Sequence, residues 1–241
     1  MHNLSWRKVS LLFVSLFIMS SAYGQFKSTD NYNYLDFQKK NYYFGITLGV
    51  NSSSYQVNRS SNFIQNDSIS VVNGLYRPGF NLHIITNLKI GDYFDFRFLP
   101  GFSFTERRFE FTSADTGNVP TTKSIESVFL EMPFLLRFKS DPYKDKRLFL
   151  VTGVKYVYDV ASNSSANREK AQFLVQVSPH DFSVEVGAGI QFFFPYFIFS
   201  PEIKFSQGIG NVHIYKDELL ESRILDQVNS RMISISFNFE G

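Results

Sequence analysis

The chain has 241 residues, of which 28 are Phe and 13 are Tyr, and it contains no cysteine. Its aromatic content of 17% and hydrophobic content of 44% exclude an intrinsically disordered chain, because such chains are poor in aromatic and apolar residues. The absence of cysteine excludes a disulfide scaffold, a thiolate metal site, a cysteine nucleophile and a cysteine-linked lipid anchor.

The N-terminal segment predicts a cleaved export signal. Arg7 and Lys8 precede a mostly apolar stretch at 9–19, and Ala22, Tyr23 and Gly24 form a small-x-small cleavage site. The apolar stretch is too short to cross ~30 Å of hydrocarbon as a helix. We therefore expect three parts, with mature protein beginning at Gln25: a signal peptide at 1–24, a periplasmic N-terminal arm at 25–40 and one folded domain at 41–241.

The charge of the mature chain points away from nucleic acid as a partner. Loss of Arg7 and Lys8 lowers the Lys+Arg count from 24 to 22, which equals the 22 Asp+Glu residues. A neutral chain has no general attraction for a polyanion.

Beyond residue 40 the dominant pattern is an alternation of large apolar residues with small or polar ones, which is the period of a β-strand. The last predicted strand shows it clearly, since Ile233, Ile235, Phe237 and Phe239 alternate with small or polar residues. The same alternation predicts eight strands, at 42–51, 79–90, 93–105, 125–139, 147–159, 182–194, 197–207 and 232–240.

The predicted connections alternate in length along the chain. Three are short, at 91–92, 140–146 and 195–196, whereas the others are long, at 52–78, 106–124, 160–181 and 208–231. The strands are also as long as the roughly 9–11 residues that a tilted membrane strand needs. Together these features predict an all-β fold, an eight-stranded antiparallel transmembrane β-barrel of the outer-membrane type, with both termini in the periplasm.

A soluble β-sandwich or lipocalin-type barrel is the competing interpretation, in which the apolar faces would point inward. The polar faces, however, are rich in Gly and in charges of both signs. Aromatic residues also gather at the short-turn end, as in the interfacial girdle of a membrane barrel. They are Tyr42, Tyr93, Phe94, Phe194, Tyr196, Phe197 and Phe239.

Three prolines fit poorly in these strands. Pro100, Pro133 and Pro201 each lie inside a predicted strand. Proline cannot donate to a strand ladder, so each position should mark a bulge or a lost hydrogen bond.

The polar face of the barrel is where a functional site is expected. Eight strands enclose an interior that side chains fill, and a lone charge there would be costly, so the charges should pair. Such a network either fills the lumen structurally or forms a gated polar path. Lys89 and Lys139 add cations near the short-turn end. The predicted lumen charge network consists of Asp95, Arg97, Glu131, Arg137, Lys155, Asp159, Glu185, Glu202, Lys204 and Glu240.

No enzymatic signature emerges from the sequence. His180 and His213 lie in predicted loops, near Asp159, Asp181 and Ser183, but no G-x-S-x-G elbow accompanies them. His213 has no partner at zinc-like spacing. We therefore expect no catalytic residues, no metal, no cofactor and no small-molecule substrate.

Several of the predicted strands carry specific motifs. Residues 98–104 read F-L-P-G-F-S-F, and residues 130–138 read L-E-M-P-F-L-L-R-F. These segments resemble the L-x-P-G-x-S-F and L-E-[IM]-P patterns of the PorT-like outer-membrane barrel family of Bacteroidetes. Residues 153–159, 200–206 (S-P-E-I-K-F-S) and 236–240 are similar to later strands of that family. The likeness covers the third to the eighth predicted strand, and more loosely the rest of the mature chain.

The resemblance implies an outer-membrane component of the type IX (Por) secretion system, which exports proteases and the adhesins of gliding motility. Its partners would be outer-membrane lipid and other components of that system, and no catalytic residues or ligand site are implied. The alternative function is that of a general outer-membrane barrel for adhesion, ligand binding or a small pore, because one fold hosts many functions.

Overall fold

Strands make up nearly all of the chain that the structure describes. The computed structural model describes residues 33–59, 69–113, 120–160, 176–214 and 225–241. Helix α1 spans Tyr34–Gln38. The strands are β1 Tyr42–Arg59, β2 Ile69–Leu75, β3 Arg77–Lys89, β4 Phe94–Phe98, β5 Gly101–Ser113, β6 Pro120–Lys139, β7 Lys146–Asp159, β8 Gln176–Val177, β9 His180–Phe193, β10 Ile198–Gly208, β11 His213–Ile214 and β12 Leu225–Glu240. The predicted signal peptide at 1–24 lies outside the described residues.

The long strands close into an antiparallel ring. Ten strand segments pair in one sheet, and β1 pairs with β12 on one side and with β3 on the other, which leaves the ring without an open edge. β2 and β3 pair with successive parts of β5, so together they form one strand of the ring. β4 and β5 pair with successive parts of β6 and likewise form one strand. The ten segments therefore make a ring of eight strands. The predicted fold class and strand number are therefore confirmed.

The strands run further at the long-loop end than the sequence pattern predicts. β1 continues to Arg59 and β6 begins at Pro120, where loops are predicted at 52–78 and 106–124. β12 likewise begins at Leu225, seven residues before the predicted start at 232. The apolar/polar alternation disappears in these extensions, but the backbone ladder continues, and for this reason the predicted boundaries are wrong there.

The burial pattern is the reverse of that of a soluble protein, because large apolar side chains are exposed and charged side chains are buried. Ile235 on the predicted outer face is 46% exposed, whereas Arg97 and Arg137 on the opposite face are 0% exposed. The seven aromatic residues of the predicted girdle are all exposed. Apolar side chains that surround a buried polar interior are stable only in lipid, so the soluble alternative is wrong.

The prolines cost hydrogen bonds without shifting the strand register. The Ile84 amide donates to the Pro100 carbonyl at 2.9 Å, and the Leu99 amide donates to the Pro133 carbonyl at 3.1 Å, but neither proline can return the bond. The same register continues from β4 into β5 along both neighbouring strands. The ladder between β9 and β10 is likewise interrupted beside Pro201.

Helix α1 lies across the short-turn mouth of the ring. Tyr34 and Phe37 are buried against Phe193 and Ile198, which flank the turn between β9 and β10. At the other end of the helix, the Gln38 carbonyl accepts a hydrogen bond of 2.7 Å from Lys89 Nζ. The last part of the predicted N-terminal arm, at 33–40, thus includes a helix that covers this mouth of the ring. Within the described ranges, no helix has the length and the apolar character needed to cross a membrane.

Substitution of Arg for Ile235 should destabilise the barrel by about 2–4 kcal/mol if Ile235 lies near the bilayer midplane, because a lipid-facing cation loses its hydration. Ile209, which follows β10 and is 63% exposed at the strand end, offers the matched control Ile209→Arg. We expect that control to cost less than about 1 kcal/mol. Reversible unfolding in lipid vesicles measures both, and equal costs would contradict the assigned lipid face.

Candidate functional site

An unbroken series of ion pairs runs through the interior, and cations and carboxylates alternate along it. It starts near the short-turn end, where Lys139 Nζ lies 2.5 Å from Asp95 Oδ1. The further pairs are Asp95–Arg137 at 2.6 Å, Arg137–Glu240 at 3.2 Å, Glu240–Arg97 at 2.9 Å, Arg97–Glu202 at 3.1 Å, Glu202–Lys204 at 3.6 Å, Lys204–Glu185 at 3.7 Å, Glu185–Lys155 at 3.0 Å and Lys155–Glu131 at 3.2 Å. The series ends at a hydrogen bond of 3.1 Å between Glu131 Oε2 and His83 Nε2. We call this series the ion column.

The ion column balances its own charge. Lys139, Arg137, Arg97, Lys204 and Lys155 supply five cations, and Asp95, Glu240, Glu202, Glu185 and Glu131 supply five carboxylates. Every side chain in it is nearly or fully buried. Desolvated charges are tolerated when each has an oppositely charged, hydrogen-bonded partner, and an alternating series satisfies that requirement with few side chains.

Arg137 is the most heavily bonded member of the ion column. Its Nε donates to Asp95 at 3.0 Å, and its Nη1 donates to both carboxylate oxygens of Glu240 at 3.2 Å. Its Nη2 donates to Asn87 Oδ1 at 3.1 Å and to the Tyr43 hydroxyl. The planar guanidinium thus ties β6 to β1, β3, β4 and β12, which a lysine could not do.

Lys204 is held more loosely. It lies 3.6 and 3.7 Å from its two carboxylates, beyond hydrogen-bond distance. Glu202 Oε1 and Glu185 Oε2, the oxygens that face it, have no hydrogen-bond partner among the described residues. The ion column is therefore tight near the short-turn end and loose in its middle.

Glycines make room for the long charged side chains. Glu202 pairs with Gly189 and Lys204 with Gly187 across the β9–β10 ladder. Glu185 pairs with Gly153, and Glu131 with Gly101. A Cβ atom on Gly187 would lie 2.7 Å from Lys204 Cγ, so a larger residue there would displace the lysine. Small residues beside large ones let a narrow interior fill without voids.

Not all of the inward face is polar. Ile85, Leu99 and Leu135 are fully buried and form a small apolar cluster beside the prolines of β6 and of the β4–β5 junction. Nearer the long loops, the Arg107 guanidinium lies between the rings of Tyr55 and Phe129, at 4.9 and 4.5 Å from their centroids. The apolar cluster and the stacked Arg107 fill the interior next to the ion column.

Nine of the ten side chains of the predicted network belong to the ion column, and Asp159 lies apart from it. Asp159 accepts a hydrogen bond of 2.8 Å from Ser127 Oγ, toward the long-loop end. Lys139, noted in the sequence as a nearby cation, begins the series, whereas Lys89 lies outside it and pairs with Asp92 in the turn at 3.5 Å. The hydrogen bond from Gln38 and the charge of Lys89 lower the pKa of Asp92 below its ordinary value.

Sequence reasoning did not single out several residues that complete the interior. The alternate positions of each strand that point inward include His83, Tyr43, Asn87 and Arg107. This alternation is the signal that would have found them. The alternation gives the direction in which a side chain points but not its partner. The contacts of these four residues could therefore not be predicted from the sequence.

The residues considered for catalysis do not converge. His180 is exposed, and its Nδ1 lies 2.6 Å from the Tyr156 hydroxyl. The neighbouring Asp181 and Ser183 are buried on the inward side of the wall, and Asp181 bonds Ser230. His213 lies in β11. In the ranges that the structure describes, no group of three or more His, Asp or Glu side chains could hold a metal ion.

Comparisons with known proteins give one family match and several similar structures. A family model described as "Outer membrane protein beta-barrel domain" matches residues 24–213. The chain is similar in structure to OprG of Pseudomonas aeruginosa, at 9% identity over 83% of this chain and 93% of that one, with a TM-score of 0.47. It is also similar to Neisserial surface protein A, at 11% identity over 81% and 95%, with a TM-score of 0.40.

A third similar structure is Ail, the attachment invasion locus protein of Yersinia pestis, in complex with the heparin analogue sucrose octasulfate. Its identity is 16% over 84% of this chain and 100% of that one, with a TM-score of 0.37. At such identities the likeness concerns the fold alone. No curated protein matches the chain significantly.

A closed antiparallel ring with a lipid-facing apolar surface and a filled, charged interior defines a small membrane β-barrel. The chain belongs to the outer membrane protein β-barrel domain family, whose model matches most of its length. It is therefore an outer-membrane protein.

Substitution of Met for Arg137 should destabilise the barrel by about 3–5 kcal/mol, because Asp95 and Glu240 stay buried with one cation fewer. Lys204→Met should cost clearly less, since Glu185 retains Lys155 and Glu202 retains Arg97. Unfolding curves of the two variants in lipid vesicles give this comparison. Equal losses would show that the closely bonded Arg137 and the loosely held Lys204 do not differ in their contribution to stability.

The purified barrel should carry no large sustained ion current in planar bilayers, because side chains fill the interior and α1 covers the short-turn mouth. A large porin in the same bilayers serves as the positive control. A reproducible large conductance would overturn the description of the interior as sealed.

Proposed function

We propose that this chain is a non-enzymatic outer-membrane component of the type IX protein secretion system and supports the export of cargo proteins. The observation that carries the proposal is the position of the residues that resemble the PorT-like family. They supply six of the ten charges of the ion column, namely Glu131, Arg137, Lys155, Glu202, Lys204 and Glu240.

Each of the resembling segments contributes to the interior of the ring. Residues 130–138 supply Glu131 and Arg137, and residues 200–206 supply Glu202 and Lys204. Residues 236–240 supply Glu240, and residues 153–159 supply Lys155 and Asp159. Residues 98–104 supply Gly101, which faces Glu131, and Leu99 of the apolar cluster.

This coincidence favours the particular family over a general resemblance between barrels. Lipid-facing residues of all barrels are drawn from the same apolar set, so they carry little information about function. Interior charges are not drawn from that apolar set, so a likeness that includes six of them carries more weight than one confined to the lipid face. The L-E-x-P segment alone is shared by many barrels, and the proposal therefore rests on the segments taken together.

The sealed interior limits what this component does in secretion. Cargo does not pass through a lumen occupied by the ion column, so the barrel acts through its surfaces, as a membrane-embedded part that supports other components of the system. The same feature disfavours the alternative of a small pore. Adhesion or ligand binding by a general outer-membrane barrel stays the second possibility.

We further propose that both termini and the short turns face the periplasm and that the long loops face outside, as in barrels whose strands enter from the periplasm. A peptide tag inserted between residues 60 and 66 should then be labelled on intact cells, whereas a tag beside Asp141 should be labelled only after the outer membrane is opened. The reverse pattern would contradict the orientation.

Deletion of the gene should abolish secretion of type IX cargo and leave other outer-membrane proteins at their normal level. Complementation with the unchanged chain restores secretion, and Lys204→Met should restore it in proportion to the amount of folded barrel, because the ion column has a structural role. Heat-modifiable gel mobility measures folded barrel in the same strains as secreted cargo. Undiminished cargo secretion in the deletion strain would contradict the proposed function.

A further inference from the structure

An arginine lies on the outer surface of the ring at the point where the lipid-facing apolar surface ends. On β12 the outward-facing residues from Phe239 back to Ile233 are apolar, and the next outward-facing residue is the half-buried Arg231. Further toward the long loops, Asn58 and Gln227 form an exposed hydrogen bond of 3.3 Å. Arg231 therefore lies at the boundary between an apolar and a polar surface, which in a membrane barrel is the level of the lipid headgroups.

Two glutamine side chains on the neighbouring strands hold the guanidinium of Arg231. Its Nε donates to Gln207 Oε1 of β10 at 3.0 Å, and its Nη2 donates to Gln56 Oε1 of β1 at 2.5 Å. Its Cζ lies 6.0 Å from the centroid of the Phe205 ring, within the range of a cation–π contact. A long side chain that is already held in one orientation loses less conformational freedom when it binds a ligand.

The charge of Arg231 is not neutralised in the part of the chain that the structure describes. Both of its side-chain hydrogen bonds go to amide oxygens, and it forms no ion pair there. The N–H groups of its Nη1 form no hydrogen bond within that part either, although a guanidinium can donate from each of its nitrogens. The two arginines of the ion column, Arg97 and Arg137, each pair with carboxylates. An uncompensated cation with unused donors favours an anion as its ligand.

The surroundings of Arg231 indicate which anion fits. Because Gln56 Oε1 accepts the bond from Arg231, its amide Nε2 is a further donor on an exposed side chain. A planar set of donors suits an oxyanion such as phosphate. Phe205 and Ile233 pair across the β10–β12 ladder next to the arginine, and they are 38% and 42% exposed toward lipid. An oxyanion with attached hydrocarbon chains therefore matches both the polar and the apolar part of this surface.

We propose that Arg231, together with Gln56 and Gln207, binds the phosphate group of a membrane lipid. The phosphate oxygens accept hydrogen bonds from Arg231 Nη1 and from the Gln56 amide, while Gln207 keeps the guanidinium in place. The hydrocarbon chains of the lipid pack against Phe205 and Ile233. The site depends on the lipid-facing surface of the barrel and not on the proposed role in secretion.

The test uses the purified folded barrel in micelles of the uncharged detergent dodecyl maltoside. Dodecyl phosphate is the probe, and dodecanol and inorganic phosphate serve as its uncharged and chain-free counterparts. Dodecyl phosphate should shift the NMR signals of Arg231 Nε–H and of the Gln56 side-chain amide, and dodecanol should not. Its apparent affinity should exceed that of inorganic phosphate at least about tenfold, because the hydrocarbon chain adds apolar contact with the barrel.

Two variants remove the site in different ways. Arg231→Gln should weaken dodecyl phosphate binding at least about tenfold at the Gln56 amide, because charge-assisted hydrogen bonds are lost. Gln56→Glu places a carboxylate beside Arg231 and should abolish the shift of Arg231 Nε–H, and the exposure of Gln56 lets the fold accept this change. The matched control is Lys146→Gln, since Lys146 is an exposed cation at the short-turn end, 5.7 Å from the centroid of the Phe192 ring.

The control should bind dodecyl phosphate at Arg231 with unchanged affinity. Equal shifts with dodecyl phosphate and dodecanol would overturn the proposal, and so would full affinity in a natively folded Arg231→Gln or Gln56→Glu variant. Equal affinity for dodecyl phosphate and inorganic phosphate would indicate a site for a free anion and would overturn the assignment to a lipid.

Discussion

Neutralisation of charge inside a narrow ring is the constraint on which the rest of the structure depends. Lipid on the outside forces polar side chains inward, and eight strands leave no space there for bulk water. Charges there are tolerated when they are paired, and the series from Lys139 to Glu131 supplies an oppositely charged partner for each of its own members. The glycines opposite Glu131, Glu185, Glu202 and Lys204 follow from the same constraint, because paired long side chains need space in which to lie.

The alternation of residue types was sufficient to predict the ring and the inward direction of its charges. Ile233, Ile235, Phe237 and Phe239 identify a lipid-facing side because the period of a strand is two residues. The pairing order could not be obtained in this way. Whether Arg97 meets Glu202 or Glu131 depends on strand register and on side-chain conformation, and neither leaves a periodic trace in the sequence.

Two parts of the fold lack the signal on which prediction relied. At the long-loop end, β1 and β12 continue a hydrogen-bonded ladder after the alternation of apolar and polar residues has ended. Helix α1 has only five residues, too few for a helical period, and is held by Phe193, far along the chain. Contacts of this kind connect distant segments through shape and burial, so local sequence patterns do not reveal them.

The position of Glu240 has a consequence for how the chain folds. Glu240 is the last residue of β12, yet it bonds both Arg97 and Arg137, which belong to strands made much earlier. Until β12 docks against β1, both guanidinium groups lack a carboxylate that they will need in the bilayer. A ring that lacks β12 therefore keeps both guanidinium groups without Glu240, so the same strand closes the ring and completes the charge balance of its interior. Contacts between segments so far apart along the chain are formed slowly in folding.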